Sequence, residues 1–137
     1  MPRSALYKNI MRKKPNILLT DDEDTFRNIM AKELTRMGYN VVSCASGSET
    51  INTLHERDFD VVILDMNMPV MGGIETLKRV KEMEPTTEVI VLTGQGSIES
   101  AVQAIKSGAY DYLTKPCRLS ELDALLQKAL EKRQLNR

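Results

Sequence analysis

Along this chain, short runs of large aliphatics alternate with stretches whose apolar residues recur every three or four positions. Ile17, Leu18 and Leu19 form an aliphatic strand over 16–20. Residues 24–37 follow with Phe26, Ile29, Met30, Leu34 and Met37, a spacing that gives a helix one apolar face. Gly38 fits the position just past its end. Val41 and Val42 start a second, weaker strand, and residues 47–57 make a second helix with Ile51 and Leu54 inward. Val61–Leu64 is the third strand, and Gly73–Met83 is a third helix (Ile74, Leu77, Val80) stopped ahead of Pro85.

Val89, Ile90, Val91 and Leu92 mark a fourth strand over 88–92. A fourth helix over 97–107 opens at Ser97, carries Ile98, Ala101, Val102 and Ile105, and closes at Gly108. Tyr110–Thr114 is a shorter fifth strand. The last helix starts at Ser120, with Asp123 three residues on as a capping-box-like pair, and Leu122, Leu125, Leu126, Ala129 and Leu130 make its inner face. Five strand–helix units with short connections predict an α/β fold, a parallel sheet with helices on both faces. Right-handed crossovers leave few topologies for it.

The most informative stretch is Asp60–Pro69. Val61–Leu64 is a strand buried on both faces that stops abruptly at the carboxylate of Asp65, and the loop beyond carries Met68-Pro69 and then Gly72-Gly73. In open parallel sheets, ligands bind at the carboxyl ends of the strands. The other ends are polar too: Asp21-Asp22-Glu23-Asp24 after the first strand, Thr93-Gly94 after the fourth, and Lys115-Pro116 after the fifth. Any one of these is an ordinary polar loop, and acids ahead of a helix also suit its dipole. Four together are harder to dismiss, because the fold forces the central ends to converge.

Composition narrows the partners. A chain of 137 residues with 42% hydrophobic and 28% charged residues fits one globular domain. No apolar run approaches the roughly 20 residues of a membrane span, and the basic start lacks the apolar core of a signal peptide. Net charge is zero but uneven: residues 1–14 hold five bases and no acid, leaving 14 bases against 19 acids in the rest. An acidic body is not a nucleic-acid-binding one. Residues 1–13 read as a flexible basic leader or a remnant of expression, and 14–137 as the domain. Cys44 and Cys117 stand without metal-ligand spacing and read as reduced cytoplasmic thiols; His55, the single histidine, reads as a surface residue.

The converging groups depend on one another. Two or three carboxylates within about 4–6 Å repel by several kcal/mol at an effective dielectric near 20, so a bare cluster would partly protonate. A divalent cation removes the problem, and oxygen donors with open positions for phosphate are what Mg²⁺ prefers. A carboxylate beside Mg²⁺, with a lysine and a hydroxyl near, can attack a phosphoryl group.

With these residues assembled, the chain resembles a receiver domain of a two-component response regulator over residues 14–133. The resemblance rests on Asp21-Asp22-Glu23, on Asp65 with Met68-Pro69 and Gly72-Gly73, and on Thr93-Gly94 and Lys115-Pro116. The stretches Leu92–Ser97 and Gly108–Pro116 look most like receivers that precede the ATPase of sigma-54-dependent transcriptional activators. The resemblance implies a (βα)5 flavodoxin-like three-layer sandwich with strand order 2-1-3-4-5. It implies Asp65 as phosphoacceptor, and Asp22, Asp21, Asp65 and the Asn67 carbonyl as Mg²⁺ ligands. Lys115 would pair with Asp65 and then with the phosphoryl oxygens. Its bond to Pro116 is expected to be cis, a simple helix-opening proline being the alternative. Thr93 would be the switch hydroxyl and Tyr112 the switch aromatic, which also reads as a half-buried strand tyrosine. Asn67 and Gln95 would tune the loss of phosphate.

By the same resemblance, the partners are a sensor histidine kinase and an output domain or partner protein, with no direct nucleic-acid contact by this domain. The chain would be a cytoplasmic switch, not a turnover enzyme, and homodimerisation through the fourth and fifth helices is a hypothesis. The polar end of the last helix suggests a domain that runs on into a linker. Three readings compete. A flavin-binding protein of this topology needs a Ser/Thr/Gly-rich first loop, but here it is acidic. An aspartate-nucleophile phosphohydrolase uses Asp-x-Asp, but the second position is Asn67. A purely structural module would be indifferent to metal and phosphodonor.

Overall fold

Each aliphatic run forms a strand in the computed structural model, which describes residues 14–94 and 98–135. The elements are β1 (Asn16–Thr20), α1 (Asp24–Arg36), β2 (Asn40–Cys44), α2 (Gly47–Glu56), β3 (Val61–Asp65), α3 (Gly73–Met83), β4 (Glu88–Thr93), α4 (Ile98–Lys106), β5 (Asp111–Thr114) and α5 (Leu119–Leu135). The strands form one sheet of order β2-β1-β3-β4-β5 with every pair parallel. That is the flavodoxin-like arrangement. The basic leader expected over 1–13 lies outside the described residues, as do Gln95 and Ser97.

The two-residue repeat of a strand divides the core into two layers. Ile17, Leu19, Ile63, Ile90 and Leu92 point to one face, where α1 brings Met30 and Leu34 and α5 brings Leu122, Leu126 and Ala129. Leu18, Val62, Leu64, Val89 and Val91 point to the other, covered by Leu54 of α2, Leu77 and Val80 of α3 and Ala104 of α4. The four aliphatic residues of β3, Val61 to Leu64, are fully buried, which is why its sequence is a continuous aliphatic run instead of an alternating one.

Several details differ from the sequence expectation. β3 and β4 each run one residue further, so Asp65 and Thr93 are the last ladder residues of their strands. Ile29, expected on the inner face of α1, is exposed; the sheet covers the Phe26–Met30–Leu34 row, and Ile29 falls to one side of it. On α4 the small Ala101 and Ala104 are buried, while Ile98, Val102 and Ile105 face outward. The helix lies close to the sheet along its small residues, leaving its larger ones unburied. α5 begins at Leu119, a residue earlier than expected, and the Asp123 carboxylate accepts a 2.5 Å hydrogen bond from the hydroxyl of Tyr39, which lies between α1 and β2. Gly38 has φ of 105°, the left-handed conformation that a helix-ending glycine supplies.

Candidate functional site

The parallel strands deliver their carboxyl ends to one edge, and the register sets which residues meet there. Thr20 pairs with Leu64, Asp65 with Leu92, and Thr93 with Thr114. Asp21 follows β1 directly, and Lys115 follows β5. The Lys115 N–H donates to the Thr93 carbonyl at 2.7 Å, extending the ladder one residue and fixing where the lysine leaves the sheet. The Lys115–Pro116 bond is cis, as the resemblance implied.

Asp21, Asp22 and Asp65 each offer a carboxylate oxygen within 4.8 Å of the others. Asp21 is fully buried and Asp65 is 3% exposed, whereas Asp22 faces solvent. Asp21 is held on several sides. Its carboxylate accepts from the Glu23 N–H at 2.9 Å, its carbonyl accepts from Arg27 Nη1 at 2.8 Å, and its N–H donates to the Cys44 carbonyl at 3.1 Å. Asp65 Oδ1 accepts from the Asn67 N–H at 3.1 Å. Behind it, Gly73 lets the loop fold back onto the strand end: a Cβ there would sit 2.6 Å from Met66 Cα and 3.0 Å from the Asp65 carbonyl.

The lysine stands between the two buried acids. Lys115 Nζ is 2.5 Å from Asp21 Oδ2 and 3.8 Å from Asp65 Oδ2. The pairing anticipated with Asp65 is therefore present as a longer contact, and the hydrogen bond goes to Asp21. Burial pushes the Asp65 carboxyl up to about 6, and the negative charge of Asp21 adds to the rise, while the Asn67 N–H and the Lys115 ammonium pull against it.

Three oxygen-donor carboxylates, two of them within 4 Å of one ammonium, make a set that could hold a metal ion, and burial, with the Asp21 charge adding to it, makes the Asp65 charge costly without one. Hard oxygen donors in that number fit Mg²⁺. Thr93 is buried at the end of β4, next to this cluster in the ladder. Asn67 lies over Gly94: a Cβ at Gly94 would be 3.4 Å from Asn67 Nδ2. Tyr112 is 41% exposed on β5, and Val102 and Ile105 of α4 are exposed as well.

Two features of this edge are not apparent from the chain. Phe26, read as plain core, has its ring 4.3 Å below Lys115 Nζ. Arg27 holds the first loop by bonding both the Asp21 carbonyl and the Asp24 carboxylate. Both sit in the first turn of α1, directly after the acidic loop, and that position is the signal that could have found them. A second group of charges lies at the amino end of the sheet. There Glu88, nearly buried, is 3.2 Å from Lys132 and 3.7 Å from Lys81, and buried Arg133 is 3.3 Å from Asp60.

Among known proteins, the model for the family described as "Response regulator receiver domain" matches residues 17–127. The transcriptional regulatory protein ZraR of Escherichia coli O157:H7 is 42% identical over 115 residues, covering 84% of this chain and 26% of the relative. The chain thus spans about a quarter of the length of the curated relatives it matches. A response regulator receiver domain protein from Clostridium thermocellum superposes with a TM-score of 0.86 at 34% identity, covering 90% of this chain and 99% of that one. NtrX from Brucella abortus, solved in complex with ADP, gives a TM-score of 0.86 at 29% identity over 90% of this chain and 29% of its own. Among the described residues, no helix is long and apolar enough to cross a membrane.

Proposed function

The chain belongs to the response regulator receiver domain family of two-component signalling, and on that footing we propose that it takes a phosphoryl group onto Asp65 from a partner histidine kinase. The observation that carries this reading is the placing of Asp65 itself. It is a buried carboxylate at the end of a central strand, within reach of two further acids and a lysine.

Asp21, Asp22 and Asp65, with the Asn67 carbonyl, would hold Mg²⁺, which when bound supplies positive charge against the phosphoryl oxygens. An Asp65 carboxylate oxygen attacks phosphorus, the new P–O bond replaces the P–N bond of phosphohistidine, and the imidazole leaves with that electron pair. Lys115, already between Asp21 and Asp65, faces the charge that builds on the phosphoryl oxygens. The Thr93 hydroxyl, one strand over, donates to a phosphoryl oxygen once the group is in place.

Drawing Thr93 inward frees space behind β4, into which the exposed Tyr112 turns. The face made by α4, β5 and α5 then repacks. This is a shift between two conformers, and going from 1% to 99% of the active one requires about 5.5 kcal/mol of differential stabilisation. Asn67 tunes the hydrolysis that resets the switch. The domain acts as a phosphoacceptor with slow self-dephosphorylation, not as a turnover enzyme.

In the whole protein the domain would govern an output of the transcriptional kind, as in a sigma-54-dependent activator, and work in the cytoplasm without itself touching nucleic acid. The exposed apolar residues of α4 make that face the proposed homodimer contact. The test is phosphate uptake from a small acyl-phosphate donor with Mg²⁺. Wild type should gain one phosphoryl group and Asp65→Asn none; an equal gain by the substituted chain would refute the assignment.

A further inference from the structure

The ring of Phe26 sits where no expectation placed a functional residue. Lys115 Nζ lies 4.3 Å from its centroid while hydrogen-bonded to Asp21 and 3.8 Å from Asp65. The side chain of Lys115 is only 22% exposed, and the ring face beside its ammonium supplies a favourable contact for the cation. Phe26 itself leans on the core formed by Met30, Leu34 and Leu122, so the ring is a firm surface.

The geometry has a consequence for the lysine's task. A lysine ends in a compact charge on a flexible four-carbon stem, and holding it in one place costs rotamer freedom. Its bond to Asp21 cannot serve throughout, because Asp21 is also a proposed metal ligand and Asp65 is where charge arrives. A ring face attracts a cation without a single fixed bonding direction, so an ammonium can slide across it from one acid toward the other at little loss.

We propose that Phe26 is a positioning residue for phosphoryl transfer: its ring is the floor along which Lys115 passes from Asp21 to the phosphoryl group on Asp65. This rests on the phosphoacceptor reading given above. Phe26→Leu keeps an apolar side chain against the α1 core but removes the ring's charge distribution, and Phe26→Tyr keeps it.

The experiment follows phosphorylation by a small acyl-phosphate donor, at saturating Mg²⁺, by intact mass. Phe26→Leu should lower the maximal rate by about 3- to 10-fold, within the span to which cation–π strengths convert, with the half-saturating donor concentration unchanged. Phe26→Tyr should keep most of the rate. In a Lys115→Ala chain, Phe26→Leu should cause no further loss, because the ring acts through the ammonium.

In the unphosphorylated wild type, the Lys115 ε-methylene protons should be shifted upfield by the ring current, and Phe26→Leu should return them to ordinary values. A Leu variant as fast as wild type, a Tyr variant as slow as Leu, or an equal loss with and without Lys115 would each overturn the proposal. A wild-type chain that takes no phosphate would bring down the phosphoacceptor reading, and this inference with it. Phosphate on wild type with indifferent Phe26 variants would defeat the inference alone.

Discussion

Asp65→Asn should make the metal-free domain more stable at neutral pH while removing its proposed function. Burial and the Asp21 charge raise the Asp65 carboxyl from 3.8 to about 6. The folded chain therefore holds that proton more tightly than the unfolded chain does. Between about pH 4 and pH 6 the folded state binds more protons, so stability falls as pH rises through that window and stays low above it. Roughly two units at 1.36 kcal/mol each put the penalty near 3 kcal/mol at pH 7.

Asparagine removes the charge and keeps the shape. The raised value already sets the 3.8 Å attraction to Lys115 and the Asn67 N–H bond against burial, so a neutral side chain of the same shape recovers most of that penalty, about 2–3 kcal/mol. Urea unfolding in the presence of a chelator measures it. The variant should exceed wild type at pH 7, and the difference should shrink toward nothing near pH 4, where wild-type Asp65 is protonated. Saturating Mg²⁺ should restore wild type preferentially, by about 2.7 kcal/mol at a hundredfold excess over its dissociation constant. A variant no more stable than wild type at pH 7 without metal would refute the claim that this site is held against its own charge.

Other consequences follow from the same geometry. Asp22→Ala should weaken Mg²⁺ binding by at least about tenfold, since a carboxylate ligand is lost; an unchanged metal titration would remove Asp22 from the site. At the sheet's other end, Asp60→Ala leaves the buried Arg133 guanidinium with only its 3.4 Å bond to the Phe59 carbonyl and removes the acceptor of the Asn16 N–H; it should cost about 2–4 kcal/mol in urea unfolding. Arg133→Met should cost less, under about 1 kcal/mol, because it puts an apolar side chain at the buried position and the charge it leaves, on Asp60, is 23% exposed and keeps the Asn16 N–H. Sedimentation with Mg²⁺ and an acyl-phosphate donor should show a mass increase if the exposed Ile98, Val102 and Ile105 face pairs with a second copy. An unchanged mass would count against that contact.

Much of the fold is written locally. Runs such as Val61–Leu64 and Val89–Leu92 admit few states other than strands buried on both faces, and Gly38, Pro85 and Gly108 punctuate the helices between them. The strand ends then converge by topology, which makes Asp21, Asp65, Thr93 and Lys115 recognisable as neighbours from the sequence. What the chain did not disclose is how wide a stripe the sheet covers. Ile29, Ile98, Val102 and Ile105 satisfy helical periodicity, yet helix placement leaves them outside the core.

Pairings across long separations were equally hidden. Asp60 with Arg133, Glu88 with Lys132, and Tyr39 with Asp123 depend on which elements the sheet order makes adjacent, and nothing local encodes that. The same limit applies within the site. The residue types named Lys115 as a counter-charge, but only the geometry shows it bonded to Asp21 and resting on Phe26.

The account stands most directly on the address of the phosphoryl group. An acyl phosphate on aspartate can be reduced with borohydride, which converts that residue to homoserine and leaves a mark that peptide mass spectrometry can place. After exposure to an acyl-phosphate donor and Mg²⁺, the account predicts homoserine at position 65 and at neither Asp21 nor Asp22. A mark at another residue, or none in a chain that has gained phosphate, would contradict it.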